Sequence, residues 1–251
     1  SQFQLIELGP GRGTMMSDAL RALRVLPPLY QALSVHMVEI NPVLREKQQA
    51  TLTGLRNITW HKRFDEVPEG PCVIFANEYF DVLPIHQMIR REDGWHERVV
   101  ELDPDENFIY GIAADPTPGF EALLPPLVRA APVGAIFEWR PDSEIMDLAK
   151  RVRDQRGAAL IIDYGHIRSD VGDTFQAIAR HSFADPLKAP GLADITAHVD
   201  FDALGRGAEA VGAHVHGPVT QSDFLRRLGI ETRALTLMQR ASHEVSEDVA
   251  K

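Results

Sequence analysis

The chain has 251 residues, of which 44% are hydrophobic and 25% are charged, an ordinary composition for a globular protein. A chain of this length buries a sizeable core without help from disulfides or metal ions. Its 26 basic and 36 acidic residues leave a net charge of −10, which argues against a nucleic-acid partner or an anionic membrane surface, because both require a basic face.

The first half of the chain alternates short apolar runs with amphipathic segments. We predict strands at residues 3–8, 35–40, 58–60 and 72–76, and helices at residues 15–26 and 42–52. Pro27-Pro28 would end the first helix, and Asn41 would cap the second, with Pro42 at its first position. Strands separated by helices of this length indicate βαβ units and therefore a parallel sheet.

The middle of the chain has a different pattern. Asp93-Gly94, a hairpin turn signal, lies between predicted strands at residues 87–91 and 95–102, and a third strand is predicted at residues 108–112. A loop rich in proline and glycine follows, with a short helix around residues 120–127. We therefore predict an antiparallel insertion at about residues 87–135.

The alternation resumes in the last part of the chain. We predict a strand at residues 158–162, irregular structure at 166–198, and helices at 142–156, 201–211 and 221–228; the pattern also allows a short strand at 214–216. The expected fold is α/β, in one domain that spans residues 1–251. Because residues 3–8 already have the pattern of a core strand, we expect that more chain precedes Ser1.

Two further features bear on the cellular environment. The single cysteine, Cys72, excludes an intrachain disulfide and lies in an apolar run, so we expect a buried core thiol rather than a nucleophile. No apolar stretch approaches the roughly 18 residues of a membrane span, so we expect no membrane insertion. A reducing compartment is the expected location.

A glycine-rich turn, Glu7-Leu8-Gly9-Pro10-Gly11-Arg12-Gly13-Thr14, follows the first strand and opens the first helix. Its spacing is G-x-G-x-G, whereas a dinucleotide fingerprint is G-x-G-x-x-G and a P-loop ends in Gly-Lys-Ser/Thr. With an acid two residues before the first glycine, it resembles the turn of class I S-adenosylmethionine-dependent methyltransferases. The spacing disfavours a nicotinamide dehydrogenase, and a tight turn without a ligand is the other alternative.

Three acids are candidates for holding such a cofactor beside the three glycines. Glu7, at the end of the first strand, would suit the ammonium of the aminoacyl end. Glu39, after the second strand, would accept hydrogen bonds from the ribose hydroxyls, although acids do the same in NAD enzymes. Asp65 could lie near the adenine amino group, or it could be an ordinary loop acid.

Residues 76–84, Ala-Asn-Glu-Tyr-Phe-Asp-Val-Leu-Pro, follow the fourth strand at the edge where open α/β sheets bind ligands. Asn77, Glu78 and Asp81 are the candidate catalytic residues, and Asn77 is also a candidate cofactor contact. In the alternative interpretation Asp81 caps a helix and Glu78 is a solvated surface acid. Asp163-Tyr164-Gly165 follows a later strand at the same edge, where a simple turn is the alternative.

Histidines raise the question of a metal site. The pairs His214/His216 and His181/His198 suggest a metal site, and strand spacing would put His214 and His216 on one face. A site needs a third or fourth ligand, however, and none is evident nearby. We predict that no metal is bound.

Taken together, these motifs resemble the MidA-like family, bacterial and mitochondrial class I methyltransferases that include the enzyme acting in respiratory complex I assembly. The further matching stretches are Val38-Glu39-Ile40-Asn41-Pro42, Ile162-Asp163-Tyr164-Gly165-His166 and residues 194–201. The resemblance implies S-adenosylmethionine as cofactor and a Rossmann-like fold, a mostly parallel seven-stranded sheet with helices on both faces. It also implies that Gly9, Gly11, Gly13 and Glu39 contact the cofactor, and that Asn77 and Glu78 line the reaction site.

For the mitochondrial member, the resemblance implies symmetric dimethylation of an arginine on a complex I subunit. We therefore expect a protein substrate, in the bacterial cytoplasm or the mitochondrial matrix. The resemblance also implies a segment before the glycine strand that helps to cover the site, and we expect that segment to lie outside the 251 residues. A small-molecule acceptor is an alternative that fold cannot exclude. A non-catalytic cofactor-binding assembly factor is another, against which intact Glu78 and Asp81 weigh.

Overall fold

The computed structural model describes residues 2–55, 57–180 and 182–240. The chain divides into two compact units, residues 1–215 and 216–251, and each is described by itself. The strands of the first unit are β1 (Phe3–Leu8), β2 (Leu33–Val38), β3 (Ile58–His61), β4 (Cys72–Asn77), β5 (His86–Arg91), β6 (Gly94–Leu102), β7 (Phe108–Ile112), β8 (Ile136–Trp139), β9 (Ala158–Ile162), β10 (Gly165–His166), β11 (Gln176–Ala179), β12 (Ser182–Ala184), β13 (Asp194–Thr196) and β14 (Val199–Asp200). Its helices are α1 (Thr14–Leu23), α2 (Pro27–Gln31), α3 (Pro42–Thr51), α4 (Phe120–Leu123), α5 (Pro126–Arg129), α6 (Ser143–Asp154) and α7 (Phe201–Ala210), with a 3-10 turn at Phe64–Glu66. The second unit contains α8 (Gln221–Arg227) and α9 (Ile230–Arg240).

A parallel sheet in the order β3-β2-β1-β4-β9 organises the first unit, which confirms the predicted α/β class. Five strands belong to this sheet within the described residues, so the expected count of seven is not confirmed. The chain builds outward from β1 in both directions, first to β2 and β3, then to β4 and β9. The strand order therefore reverses beside β1, and ligands bind at the carboxyl ends of the strands at such a switch point.

Apolar residues cover both faces of the sheet, as expected for parallel strands with crossover helices. On one face Ile6 and Ile74 pack with Leu148 of α6. On the other face Leu5 and Met37 pack with residues of α1. Cys72 is a buried free thiol in this core, as predicted.

The predicted antiparallel insertion is present as a sheet in the order β7-β6-β5-β8. Asp93-Gly94 forms its hairpin, in which Arg91 pairs with Gly94. The sheet also includes β8, which lies beyond the expected end at about residue 135 and pairs with β5. A separate core holds the insertion together around Trp95, Phe120 and Phe137.

Several local predictions differ from the structure. α1 ends at Leu23, before the predicted stop at Pro27-Pro28, and the two prolines instead begin α2, since proline fits the first helical position. Residues 166–198, expected to be irregular, include β11, β12 and β13, which pair as a small antiparallel sheet. Strands of three or four residues carry too little alternation to be recognised locally. Residues 214–216 form no strand.

The second unit contains α8 and α9, of which only α8 was predicted. Thr220 caps α8, and its side chain accepts a hydrogen bond from the backbone N–H of Asp223. No described helix in either unit is both long and apolar enough to cross a membrane. The expectation that the whole chain is one domain stays a prediction.

Candidate functional site

The glycine turn connects the buried end of β1 to α1. Gly9, Gly11 and Gly13 all have left-handed backbones, with φ angles of 57°, 52° and 76°, which glycine adopts at no steric cost. A side chain on Gly9 would start 3.0 Å from Cδ2 of Tyr79, whereas a side chain on Gly11 would meet nothing within 4 Å. The turn therefore exposes backbone to open space at Gly11. Gly13 begins α1 without a capping side chain, so the first N–H groups of that helix have no side-chain partner.

Glu7 lies at the end of β1 in the centre of the sheet and is only 3% exposed. Its Oε2 atom has no hydrogen-bond partner among the described residues. Burial without a partner disfavours the ionised form and raises the pKa of Glu7 from 4.5 to about 7. An unpartnered buried carboxyl beside the glycine turn fits a cationic ligand group, such as an ammonium.

Glu39 follows β2 directly and is 7% exposed. Its Oε1 accepts a hydrogen bond from the backbone N–H of Asn41 at 2.8 Å, and its Oε2 accepts one from the side-chain amide of Gln48 at 3.2 Å. A carboxylate has about four acceptor positions. Glu39 therefore keeps acceptor capacity while two contacts hold its orientation, which fits a pair of ribose hydroxyls.

Asp65 lies in the 3-10 turn after β3 and has a different environment. Its side chain is 63% exposed and accepts a hydrogen bond at 3.0 Å from Arg63, two residues earlier. Asp65 thus forms a local ion pair with Arg63, and its contact with the adenine amino group stays a prediction.

The segment after β4 reaches the glycine turn through Tyr79, whose ring lies against Gly9. Asn77, the last residue of β4, is half-buried, and Glu78 is exposed. Glu78 has a left-handed backbone with a φ of 47°, which is unfavourable for a residue with a side chain, and its N–H donates to the carbonyl of Ile162 at 2.9 Å. Such strain occurs where the surrounding structure imposes it, often at functional sites.

Asp81 is buried, with 3% exposure, and its Oδ1 has no partner among the described residues. The interpretation of Asp81 as a helix cap is wrong, because the next element along the chain is the strand β5. Asp163, after β9, accepts hydrogen bonds from the backbone N–H groups of Phe80 and Asp81 at 3.1 and 3.2 Å. Burial, and then the nearby Asp81 carboxylate, raises the pKa of Asp163 to about 6.

Arg140 joins this segment to a distant one. Its guanidinium donates to the carbonyl oxygens of Asp81 and Leu83 at 3.2 and 3.4 Å, and to those of Ala197 and His198 at 2.7 and 2.8 Å. Desolvation lowers the pKa of the guanidinium. Arg140 therefore brings the motif at residues 76–84 together with the motif at residues 194–201. Neither Arg140 nor Gln48 has a sequence signal that identifies it, since Arg140 binds backbone carbonyls and the partners of Gln48 lie outside its own helix.

A cavity of about 460 Å³ lies beside the segment after β4. Phe80 and Leu83 line it together with Phe120 of the insertion and Glu144 of α6. Glu144 also accepts a hydrogen bond from the hydroxyl of Tyr79 at 2.5 Å. Glu7, the glycines and Glu39 do not line this cavity, so it is distinct from the cofactor candidates.

Within the described part of the chain, no three His, Cys, Asp or Glu side chains are grouped so that they could hold a metal ion. His181 lies outside the described residues. The absence of a metal stays a prediction.

Comparison with known proteins gives consistent matches. The family described as "Putative S-adenosyl-L-methionine-dependent methyltransferase" matches residues 1–219. The chain is 36% identical to the mitochondrial protein arginine methyltransferase NDUFAF7 of Danio rerio, over 95% of this chain and 61% of that protein. It is 34% identical to the Homo sapiens protein of the same name, over 96% of this chain and 59% of that protein. The chain thus spans about three fifths of the length of these relatives.

A solved structure from Burkholderia thailandensis, bound to S-adenosyl-homocysteine, is similar to this chain with a TM-score of 0.77 and 26% identity, over 94% of this chain and 62% of that one. A native crystal structure of a protein from the same organism gives a TM-score of 0.78, also at 26% identity, over 94% of this chain and 65% of that one. The family model and the relatives match most of the chain, including the glycine turn after β1. The chain belongs to the MidA-like family of S-adenosylmethionine-dependent methyltransferases.

Proposed function

We propose that this protein methylates arginine side chains of a protein substrate. The observation that supports the proposal is the contact of Tyr79 with Gly9, because Tyr79 directly follows the exposed acid Glu78 in the chain. The similarity to proteins named as arginine methyltransferases supports the same acceptor. In this proposal the five described parallel strands belong to the seven-stranded sheet of class I methyltransferases.

The chain's own residues fit the cofactor of this family. The open space at Gly11 accommodates a ligand against the backbone, the unpartnered carboxyl of Glu7 suits an ammonium, and the remaining acceptor capacity of Glu39 suits ribose hydroxyls. Asn77, at the end of β4, is a further contact in this proposal, and Asp65 is a candidate contact for the adenine amino group. S-adenosylmethionine supplies a methyl group on a positively charged sulfur.

Glu78 then acts on the acceptor. A guanidinium is planar and cationic, and its nitrogens are weak nucleophiles. The nitrogen that takes the methyl group also gives up one proton, which can leave late in the transfer, so the site needs no strong base but must orient the guanidinium. A carboxylate accepts paired N–H bonds from it in fork geometry, and the negative charge offsets the positive charges that meet in the site. Asn77 holds the neighbouring polar position. Asp81 is the reserve carboxylate, although its burial makes it less accessible than Glu78.

The proposal also names the protein that carries the arginine and the compartment in which this chain acts. We propose symmetric dimethylation of an arginine on a respiratory complex I subunit, by similarity to the family. The named relatives are mitochondrial. The corresponding location for this chain is the mitochondrial matrix or, in a bacterium, the cytoplasm.

The test is single-turnover methyl transfer to an arginine-bearing peptide, using Glu78→Gln, with affinity for S-adenosylhomocysteine measured in parallel. We expect cofactor affinity within a few-fold of the parent and transfer slower by roughly two or more decades, since an orienting and charge-stabilising group is lost. Glu106→Gln is a matched control, because Glu106 is also exposed and also has a left-handed backbone, with a φ of 62°. Unchanged transfer in Glu78→Gln would remove this residue from the reaction. Transfer from the parent to small molecules but to no peptide or protein would contradict the arginine proposal.

A further inference from the structure

One buried polar residue beside the cofactor candidates has no assigned role. Gln48 lies in α3 and is fully buried, whereas its neighbours Lys47 and Gln49 are exposed. Glutamine is mostly found at protein surfaces, because burying its amide is costly unless the amide is fully hydrogen-bonded. A fully buried glutamine in a ten-residue helix therefore calls for a physical reason.

The amide of Gln48 has a partner for each of its groups. Its nitrogen donates to the backbone carbonyl of Gly11 at 2.9 Å and to Oε2 of Glu39 at 3.2 Å. Its oxygen accepts from the indole N–H of Trp60 at 3.0 Å. An indole nitrogen only donates, and a carbonyl and a carboxylate only accept. These three partners allow one orientation of the amide, with nitrogen toward Gly11 and Glu39 and oxygen toward Trp60.

The stem of Gln48 makes a second contact with the same turn. A side chain on Gly13 would start 3.4 Å from Cγ of Gln48, so the glutamine packs closely under the start of α1. Gln48 thus touches the glycine turn at two positions and the acid after β2 at a third. These are the two elements that we assign to the cofactor, and Trp60 of β3 fixes the amide from the other side.

We propose that Gln48 is a positioning residue for the cofactor: it holds the glycine turn and the Glu39 carboxylate in one fixed relation, and so sets the recognition of the ribose. The proposal rests on the assignment of Glu39 to the ribose hydroxyls. Gln48 itself donates its nitrogen hydrogens to Gly11 and Glu39 and has none left for a ligand. Its effect is therefore on the direction in which Glu39 presents its free acceptor positions.

The experiment compares the affinity for S-adenosylhomocysteine with that for its 2′-deoxy analogue, by calorimetry on the full chain. A charge-assisted hydrogen bond corresponds to roughly ten- to hundredfold in affinity, so the parent should prefer S-adenosylhomocysteine by about that factor. Gln48→Met has a similar volume but no amide. We expect it to bind S-adenosylhomocysteine at least about tenfold more weakly and to lose most of the preference, as Glu39→Ala should.

Gln49→Met is the matched control, because the same change is made one residue along the same helix at an exposed position. It should keep both the affinity and the preference of the parent. Trp60→Phe is a second variant that leaves Gln48 in place but removes the donor to its oxygen. We expect a partial loss of the preference, and this variant carries the test if Gln48→Met does not fold.

The outcomes are distinguishable. If Gln48→Met and Trp60→Phe weaken both ligands equally and keep the preference of the parent, Gln48 only supports the fold and the proposal is overturned. If the parent itself binds both ligands equally, the assignment of Glu39 to the ribose fails, and the role of Gln48 fails with it. Neither outcome touches the arginine acceptor, which the transfer assay with Glu78→Gln tests separately.

Discussion

The buried carboxyl of Glu7 makes stability depend on pH in a way that can be calculated. Its folded pKa of about 7 lies above the ordinary value of 4.5, so ionising it costs more in the folded state than in the unfolded state. The contribution of Glu7 to folding is therefore most favourable below pH 4.5, and it is lost progressively as the pH rises from 4.5 to 7. Glutamine does not titrate, so Glu7→Gln removes this dependence.

The magnitude follows from the shift. At about 1.4 kcal/mol per pKa unit, full ionisation of Glu7 costs about 3 kcal/mol of folding free energy, and roughly 2 kcal/mol of this arises between pH 5.5 and pH 8. Any penalty for burying the glutamine amide is the same at both pH values. The stability of Glu7→Gln relative to the parent should therefore improve by about 2 kcal/mol between pH 5.5 and pH 8.

Urea unfolding of the parent, of Glu7→Gln and of Glu69→Gln at both pH values measures this difference. Glu69 is exposed, and Glu69→Gln serves as the control for removing one carboxylate from the protein surface. In the same proteins, S-adenosylhomocysteine should bind the parent more tightly as the pH rises through 7, because its ammonium favours the ionised carboxyl. That slope should vanish in Glu7→Gln. A relative stability that is constant across pH would refute the raised pKa, and an unchanged binding slope would refute the ammonium contact.

Three further predictions concern the glycine turn, the contacts of Arg140 and metal binding. Gly11→Val should weaken the binding of S-adenosylhomocysteine at least about tenfold, since valine fills the open space and strains a left-handed backbone. Gly54 is also left-handed and open but lies away from the turn, so Gly54→Val should leave the affinity unchanged. Equal losses of calorimetric affinity in the two variants would contradict the assignment of the turn to the cofactor. Arg140→Lys should lower the free energy of unfolding, measured in urea, by about 2–4 kcal/mol, because an ammonium cannot bridge four carbonyls. A loss below about 0.5 kcal/mol would mean that the contacts of Arg140 with the four carbonyls do not stabilise the fold. A chelator should leave methyl transfer unchanged, since the sulfonium already carries a good leaving group, the neutral thioether. A stoichiometric transition metal found by elemental analysis and held by His214 and His216 would overturn this.

Much of the fold could be predicted from local sequence. The alternation of apolar strands with helices predicted the parallel sheet, because the strands and the helix of a βαβ unit follow one another along the chain and differ in the period of their hydrophobic pattern. Asp93-Gly94 predicted the hairpin of the insertion, because a tight turn depends on two adjacent residues. The small sheet of β11, β12 and β13 was missed, since each strand is short and forms only through pairing with residues distant in sequence.

The sequence by itself determined which segments meet at the carboxyl edge of the sheet, because glycine spacing and strand ends are local features. It placed Glu7 and Glu39 at strand ends, but not the burial that leaves Glu7 without a partner. Only the tertiary structure decided that Gln48 faces inward to Gly11 and that Arg140 binds backbone carbonyls from two distant segments. A hydrogen bond to a backbone oxygen is independent of the partner's side chain, so it leaves no motif in the sequence.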